Sequence, residues 1–144
     1  MLHVICLNTA IDKIYRIPDF AAGEDYPGQK PEMRVGGKGV NVARVLSQLG
    51  APVHLYGFLG EGGDIIRKEM EKRCVCSFFD VSGACRTTVN IIDPKSGRET
   101  VITEAGPQVG ESDVRELLLE LSDRVQPGDI VAASGSIIAG APAD

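Results

Sequence analysis

"RVGGKGVNVARVLSQLG", residues 34–50, sets three glycines around Lys38 and runs straight into a helical pattern. Val42, Val45, Leu46 and Leu49 recur at i, i+3, i+4 and i+7, which predicts a helix after Gly39 with these four on its buried stripe. Gly50 and Pro52 predict its end. The glycines remove side-chain bulk, so a ligand can come close to the backbone. The helix start adds free N–H groups and the positive end of the helix dipole. Lys38 contributes a mobile charge, and Asn41 in the first turn offers a donor and an acceptor. This set suits a small molecule carrying hydroxyls and one phosphate; a sharp turn with a solvated lysine is the plainer alternative.

Two nucleotide loops are excluded by spacing. A Walker-type loop needs an early Gly and a Ser or Thr after the lysine, where this chain has Glu32 and Gly39. A G-x-G-x-x-G loop finds Gly37 and Gly39 but meets Val42 at its third place.

Outward from the loop, "LHVICL" (2–7) predicts a strand buried on both faces and "IDKIYRI" (11–17) one with a wet face. Residues 18–31 predict a loop. "VHLYGFLG" (53–60) and "VCSFFDV" (75–81) predict strands flanking a short amphipathic helix over 62–73 that carries Ile65, Ile66 and Met70. "TTVNIID", "PKSG" and "RETVITE" (87–104) predict a hairpin. Residues 112–125 predict a helix capped by Ser112 with Val114, Leu117, Leu118, Leu121 and Val125 on one side, and "DIVAAS" (129–134) a further buried strand. Strands alternating with helices imply a parallel sheet covered on both faces. The hairpin and the early alternating strand would bury polar faces in such a sheet, so they predict a small second sheet leaning over the first. With three helices and no cover for the last strand, the pattern predicts an incomplete domain.

The chain has 144 residues, 43% apolar and 24% charged, a globular balance sized for one domain. A net charge of −5 argues against nucleic acid or an anionic membrane as the main partner. No apolar run is long enough for a transmembrane helix, and the N-terminus has no secretory pattern. Cys6, Cys74, Cys76 and Cys85 fit neither a paired zinc site nor a disulfide framework, which predicts thiols in a cytoplasmic protein.

Other candidates act only in combination. Asp12 follows "LNTAI" at the end of the first strand, where a carboxylate can take hydrogen bonds from sugar hydroxyls or merely make a turn. Arg86 opens the hairpin and can pair with an anion as a planar fork. Ser134 and Ser136 flank Gly135 at a strand's carboxyl end, where α/β proteins place ligands. His3 and His54 have no motif tying them to either serine, which argues against Ser-His chemistry.

Taken together, "LNTAID", "VGGKGVNVARVLSQLG", "GFLGEGG", "CRTTVNI", "TEAGP" and "SGSIIAGAP" resemble the PfkB-type carbohydrate kinases of the ribokinase-like fold, nearest the 1-phosphofructokinase and tagatose-6-phosphate kinase branch. The resemblance spans nearly the whole chain, in the family's order. It implies a parallel sheet with helices on both faces and a small β-sheet lid over about 11–36 and 86–104. It also implies transfer of the γ-phosphoryl of ATP, with Mg²⁺, to a ketohexose phosphate: fructose 1-phosphate first, tagatose 6-phosphate second and fructose 6-phosphate third. By position, Asp12 would hold sugar hydroxyls, and Gly36, Gly37 and Asn41 would line the sugar pocket. Lys38 and Arg86 would meet the substrate's phosphate, Ser136 would sit near the sugar, and the lid could pair two subunits. Thr9 and Ile138 replace the family's usual prolines, which predicts looser loops. The family's "GAGD" stretch, with its catalytic Asp, has no counterpart; "EGGD" (61–64) lies in the wrong block. The same holds for its Asn-x-x-Glu motif, linked to Mg²⁺ and phosphate. Residues 1–144 are therefore expected to be the N-terminal, sugar-binding part of one kinase domain. No catalytic residue is expected here, the ATP and Mg²⁺ sites are expected mainly on a C-terminal half, and the chain is expected to be inactive alone.

Overall fold

The computed structural model describes residues 1–142, so the end of the 1–144 unit, and with it the last two residues of the loop after "DIVAAS", lies outside the described residues. The elements are β1 (Leu2–Asn8), β2 (Ala10–Arg16), β3 (Glu32–Gly36), α1 (Lys38–Gln48), β4 (Val53–Glu61), α2 (Asp64–Met70), β5 (Val75–Ala84), β6 (Arg86–Ile92), β7 (Glu99–Thr103), α3 (Glu111–Arg124) and β8 (Ile130–Ala133). They build two four-stranded sheets, ordered β5-β4-β1-β8 and β3-β2-β6-β7.

The first sheet is parallel throughout. Its strands alternate between two cores, as period-2 side chains must. Val4, Cys6, Val53, Leu55 and Leu59 face α1 and α2 together with Val40, Ala43, Ile66 and Met70. Tyr56 and Phe58 face α3 through Leu117, with Val109 and Ile138 closing that core. Helices thus cover both faces, as the alternation predicts.

The second sheet is mixed: β2 pairs parallel with β6, while β3 and β7 lie antiparallel on its two sides. One row of it aligns Gly36, Ala10 and Arg86. Partners in a row share a face, so Asp12, Arg34, Gly36, Arg86 and Thr88 lie on one side of the sheet. Met33, Lys13, Val89 and Ile102 form a row on the other. Four links join this sheet to the rest: single residues at Thr9 between β1 and β2, Gly37 between β3 and α1, and Cys85 between β5 and β6, and a longer segment over residues 104–110 between β7 and α3.

Several sequence expectations change. Residues 32–36, for which the sequence predicts no element, form β3, whose side chains are exposed until Val35 and so show no alternation. Helix α1 starts at Lys38 and buries Gly39, Val40 and Ala43 rather than the predicted stripe. Val42 and Leu46 are partly buried, while Val45 and Leu49 are 53% and 76% exposed. The reason is close approach, since a Cβ on Gly39 would lie 2.6 Å from Cys6 Cβ and the helix rests on β1 by its smallest side chains. Helix α2 is shorter than predicted, and Ile65 is exposed. Strand β5 runs on to Ala84. Ser112 lies inside α3; Gly110 is the N-cap, and its N–H donates to Asp113 Oδ2 at 2.7 Å. Leu118 is exposed, and α3 buries Leu117 alone. Strand β8 is an edge strand with Ile130 and Val131 exposed, not a buried one.

Candidate functional site

Strand β1 ends at Asn8 beside the sheet's carboxyl edge, and the chain turns through Thr9 into β2, which carries Asp12. The Asp12 carboxylate lies directly over Gly36. A Cβ there would sit 2.7 Å from Asp12 Cγ and closer still to Oδ2. Burial pushes the Asp12 carboxyl upward in pKa, opposed by the nearby Arg86 guanidinium, a hydrogen bond from Thr88, and Arg44 and Arg34. A partly desolvated carboxylate among cations is thus poised to accept hydrogen bonds from neutral hydroxyls.

Gly37, at φ 107°, is the N-cap of α1. That left-handed value suits glycine. A side chain would also press on Cys6 Sγ at 3.0 Å and Thr9 Cα at 3.3 Å. Gly37 has no side chain to cap the helix, and the N–H groups of Gly39 and Val40 point at the buried Cys6 sulfur. Lys38 is exposed and has no carboxylate partner among the described residues. The N–H of Asn41 donates to Gly37 O at 2.9 Å, which sets the first turn.

Arg86 and Ser136 join this group through Asn8. Arg86 Nη2 donates to Asn8 O at 3.1 Å, and Asn8 Nδ2 donates to Ser136 Oγ at 3.1 Å. Gly135 closes the ring, since a Cβ there would lie 3.8 Å from Lys38 Cβ. The structure therefore brings Asp12, Gly36, Gly37, Lys38, Asn41, Arg86 and Ser136 into one contiguous neighbourhood. Two buried polar atoms beside it, Asn8 Oδ1 and Arg86 Nε, have no protein partner. They border a cleft of about 360 Å³ lined also by Thr103, Gly106 and Ile137.

Sequence reasoning missed Asn8 and Arg44 as site residues. Asn8 lay within a quoted block, but its bridging position depends on a loop 128 residues away. Arg44 was legible only as the residue three after Asn41, on the same helix face. The two replaced prolines behave differently from expectation. Thr9 is buried and donates to Phe58 O at 2.7 Å, a bond proline cannot make, and Ile138 is buried in the core under α3. Both anchor their loops rather than loosen them.

The histidines lie at the opposite, amino-terminal end of the sheet. His3 Nδ1 is 2.9 Å from Tyr56 Oη and its Nε2 is 3.1 Å from Asp129 Oδ2. His54 Nε2 bonds Ser77 Oγ at 2.9 Å, so neither ring reaches Ser134 or Ser136. No group of three or more His, Cys, Asp or Glu side chains gathers among the described residues, and no described helix is long and apolar enough to cross a membrane.

A parallel sheet wrapped by helices, a second sheet leaning over its carboxyl edge, and a glycine-rich helix start facing a carboxylate define a ribokinase-like α/β protein. The sequence pattern of the pfkB family carbohydrate kinases matches residues 1–144, and the chain belongs to that family. It is 32% identical over 146 residues to a 1-phosphofructokinase of Bacillus subtilis (strain 168), covering 100% of this chain and 47% of the relative. A possible 1-phosphofructokinase from Thermotoga maritima superposes with a TM-score of 0.88 at 35% identity, covering 99% of this chain and 47% of that one. Phosphofructokinase-2 from Escherichia coli in complex with fructose-6-phosphate gives 0.88 at 19% identity, over 98% of this chain and 47% of its own, a likeness of fold. The chain spans about half the length of the relatives it matches.

Proposed function

We propose that the protein containing this chain phosphorylates a ketohexose phosphate with ATP, with fructose 1-phosphate the first choice and fructose 1,6-bisphosphate the product. Tagatose 6-phosphate is the second choice and fructose 6-phosphate the third. The observation that carries this reading is the Asp12 carboxylate seated on Gly36 beside the helix start bearing Lys38. A carboxylate that accepts from hydroxyls, next to two cations that attract a phosphate, matches a phosphorylated sugar. The names of the relatives supply the reaction class.

In this reading Asp12 orients the sugar hydroxyls and Gly36 and Gly37 let the ring approach the backbone. Asn41 donates to the sugar phosphate, Lys38 and Arg86 hold its anionic group, and Ser136 lies near the sugar. The second sheet acts as a lid that excludes water, which otherwise competes for the phosphoryl group. ATP supplies the γ-phosphoryl. The residues here do not fit Mg²⁺ or the nucleotide, since no Ser or Thr follows Lys38 and no acidic cluster is present among the described residues. Those sites, and the general base, belong in this proposal to a C-terminal half, so this chain alone is inactive. Positioning and charge stabilisation then provide most of the rate.

The row of Met33, Lys13, Val89 and Ile102, with Met33 and Ile102 exposed, supports pairing of the lid with a second copy, and a cytoplasmic setting accords with the four free thiols. A coupled kinase assay of the full-length protein on the three sugar phosphates tests the reading. Turnover with fructose 1-phosphate as the best substrate is expected, and no turnover of any ketohexose phosphate overturns it. The acceptor-side residues proposed above lie on this chain, which supports a second reading as a sugar-phosphate-binding fragment. Calorimetry of this chain with fructose 1-phosphate tests that, absence of heat counting against it.

A further inference from the structure

Arg44 makes two short hydrogen bonds from one guanidinium. Its Nη1 donates to Asn41 Oδ1 at 2.6 Å, and its Nη2 donates to Val35 O at 2.6 Å. The same Nη2 lies 3.4 Å from Glu69 Oε1 on α2, which holds the fork from behind. The Arg44 side chain is 24% exposed; its bond to Val35 is part-buried, and its bond to Asn41 lies at the surface.

Each contact has a separate consequence. Val35 is the last residue before the Gly36–Gly37 corner, so the bond to its carbonyl ties β3 to the helix that follows. That fixes the corner on which Asp12 rests. The bond to Asn41 Oδ1 decides which way the carboxamide faces. A primary amide has one acceptor end and one donor end. Here the acceptor end is taken by Arg44, and the Nδ2 donor end has no partner among the described residues. Asn41 therefore presents both Nδ2 N–H donors outward, while Arg44 occupies one of the two lone pairs of Oδ1 and fixes which end of the amide faces it. A ligand atom meeting the Nδ2 end is an acceptor, such as a phosphate or sugar oxygen in its lone-pair role.

We infer that Arg44 is a positioning residue that locks Asn41 as a donor and holds the Gly36–Gly37 corner, so that the site selects acceptor groups at that point. The assignment rests on the sugar-phosphate reading of the same site. Lysine cannot replace it, because a single ammonium cannot reach two acceptors in a fixed plane.

The test uses the full-length protein and the variants Arg44→Lys, Arg44→Met, Asn41→Ala and Asn41→Ala with Arg44→Met. Arg44→Met and Arg44→Lys should each raise the sugar-phosphate KM about tenfold or more, with the ATP KM within about twofold of the wild type. Adding Arg44→Met to Asn41→Ala should cost markedly less than it does in the wild type, because the amide it orients is already gone. Arg44→Lys retains the charge beside Glu69 and serves should the methionine variant fail to fold. Full rescue by lysine, additive losses in the double variant, or equal changes in both KM values overturn the assignment while leaving the kinase reading intact. An unchanged sugar-phosphate KM in Asn41→Ala also overturns it, since no donor would then need positioning. A wild-type protein that turns over no ketohexose phosphate overturns both.

Discussion

Gly36 shows how a missing side chain can specify a site. Its backbone is unexceptional in φ, so the reason for glycine is the Asp12 carboxylate, which fills the volume a Cβ would take. Gly36→Ala should displace Asp12 and raise the sugar-phosphate KM about tenfold or more in steady-state kinetics, with little change in the ATP KM. Lys38 makes the complementary case, because it is exposed and unpaired among the described residues. Lys38→Ala should leave thermal stability within about 0.5 kcal/mol and raise the sugar-phosphate KM far more than the ATP KM; equal changes in both would remove it from the acceptor side. Asp12, Lys38 and Arg86 were legible because their chemistry stands out at strand ends and in a glycine loop. Asn8 and Arg44 were not, because each acts by touching a residue placed by the fold and neither type is unusual in a strand or helix.

Helix α1 was correctly expected as an element but wrongly oriented. Apolar periodicity favours large side chains, whereas this helix packs through Gly39 and Ala43 and lets β1 come close. Gly39→Ala should therefore destabilise the protein by about 1–3 kcal/mol despite alanine's better helix propensity, because a Cβ would overlap Cys6 and Ile5. Leu49→Ser, on the stripe the sequence favours, should change stability by less than about 0.5 kcal/mol. Urea unfolding of both variants separates the two orientations. The parallel sheet and the hairpin were legible from alternation and turn residues. Strand β3 was not, since only its last two residues are buried.

Across the whole molecule, the two ends of the first sheet carry different chemistry. The carboxyl end holds the site, and the amino end holds a buried stack in which His54 lies 4.2 Å from Tyr56 between ring centroids. Burial, aided by Arg124 and His3 and opposed by Glu120, lowers the His54 pKa to about 4. An unfolded histidine titrates near 6.5. Between about 4 and 6.5 the unfolded chain binds a proton that the folded one refuses, so stability is full above that window and is lost as pH falls through it. Urea midpoints should drop from pH 7 to pH 5, by up to about 1.4 kcal/mol per pH unit from this group, and His54→Phe should flatten the profile. Burial also raises Tyr56 to about 12, so it stays neutral throughout.

The single-residue links at Thr9, Gly37 and Cys85 have a mechanical meaning. Arg86 and Gly36 adjoin two of these links, whereas the turn over residues 94–97 lies a full strand length away. Seven residues of β6 extend about 23 Å, so a rotation of ~10° about the links sweeps the far turn through about 4 Å while Arg86 shifts by less than about 1 Å. In the proposed reading the second sheet is thus a lever with its fulcrum beside the candidate site. Large travel at the tip would seal or open the cleft while Gly36 and Arg86 stay in register.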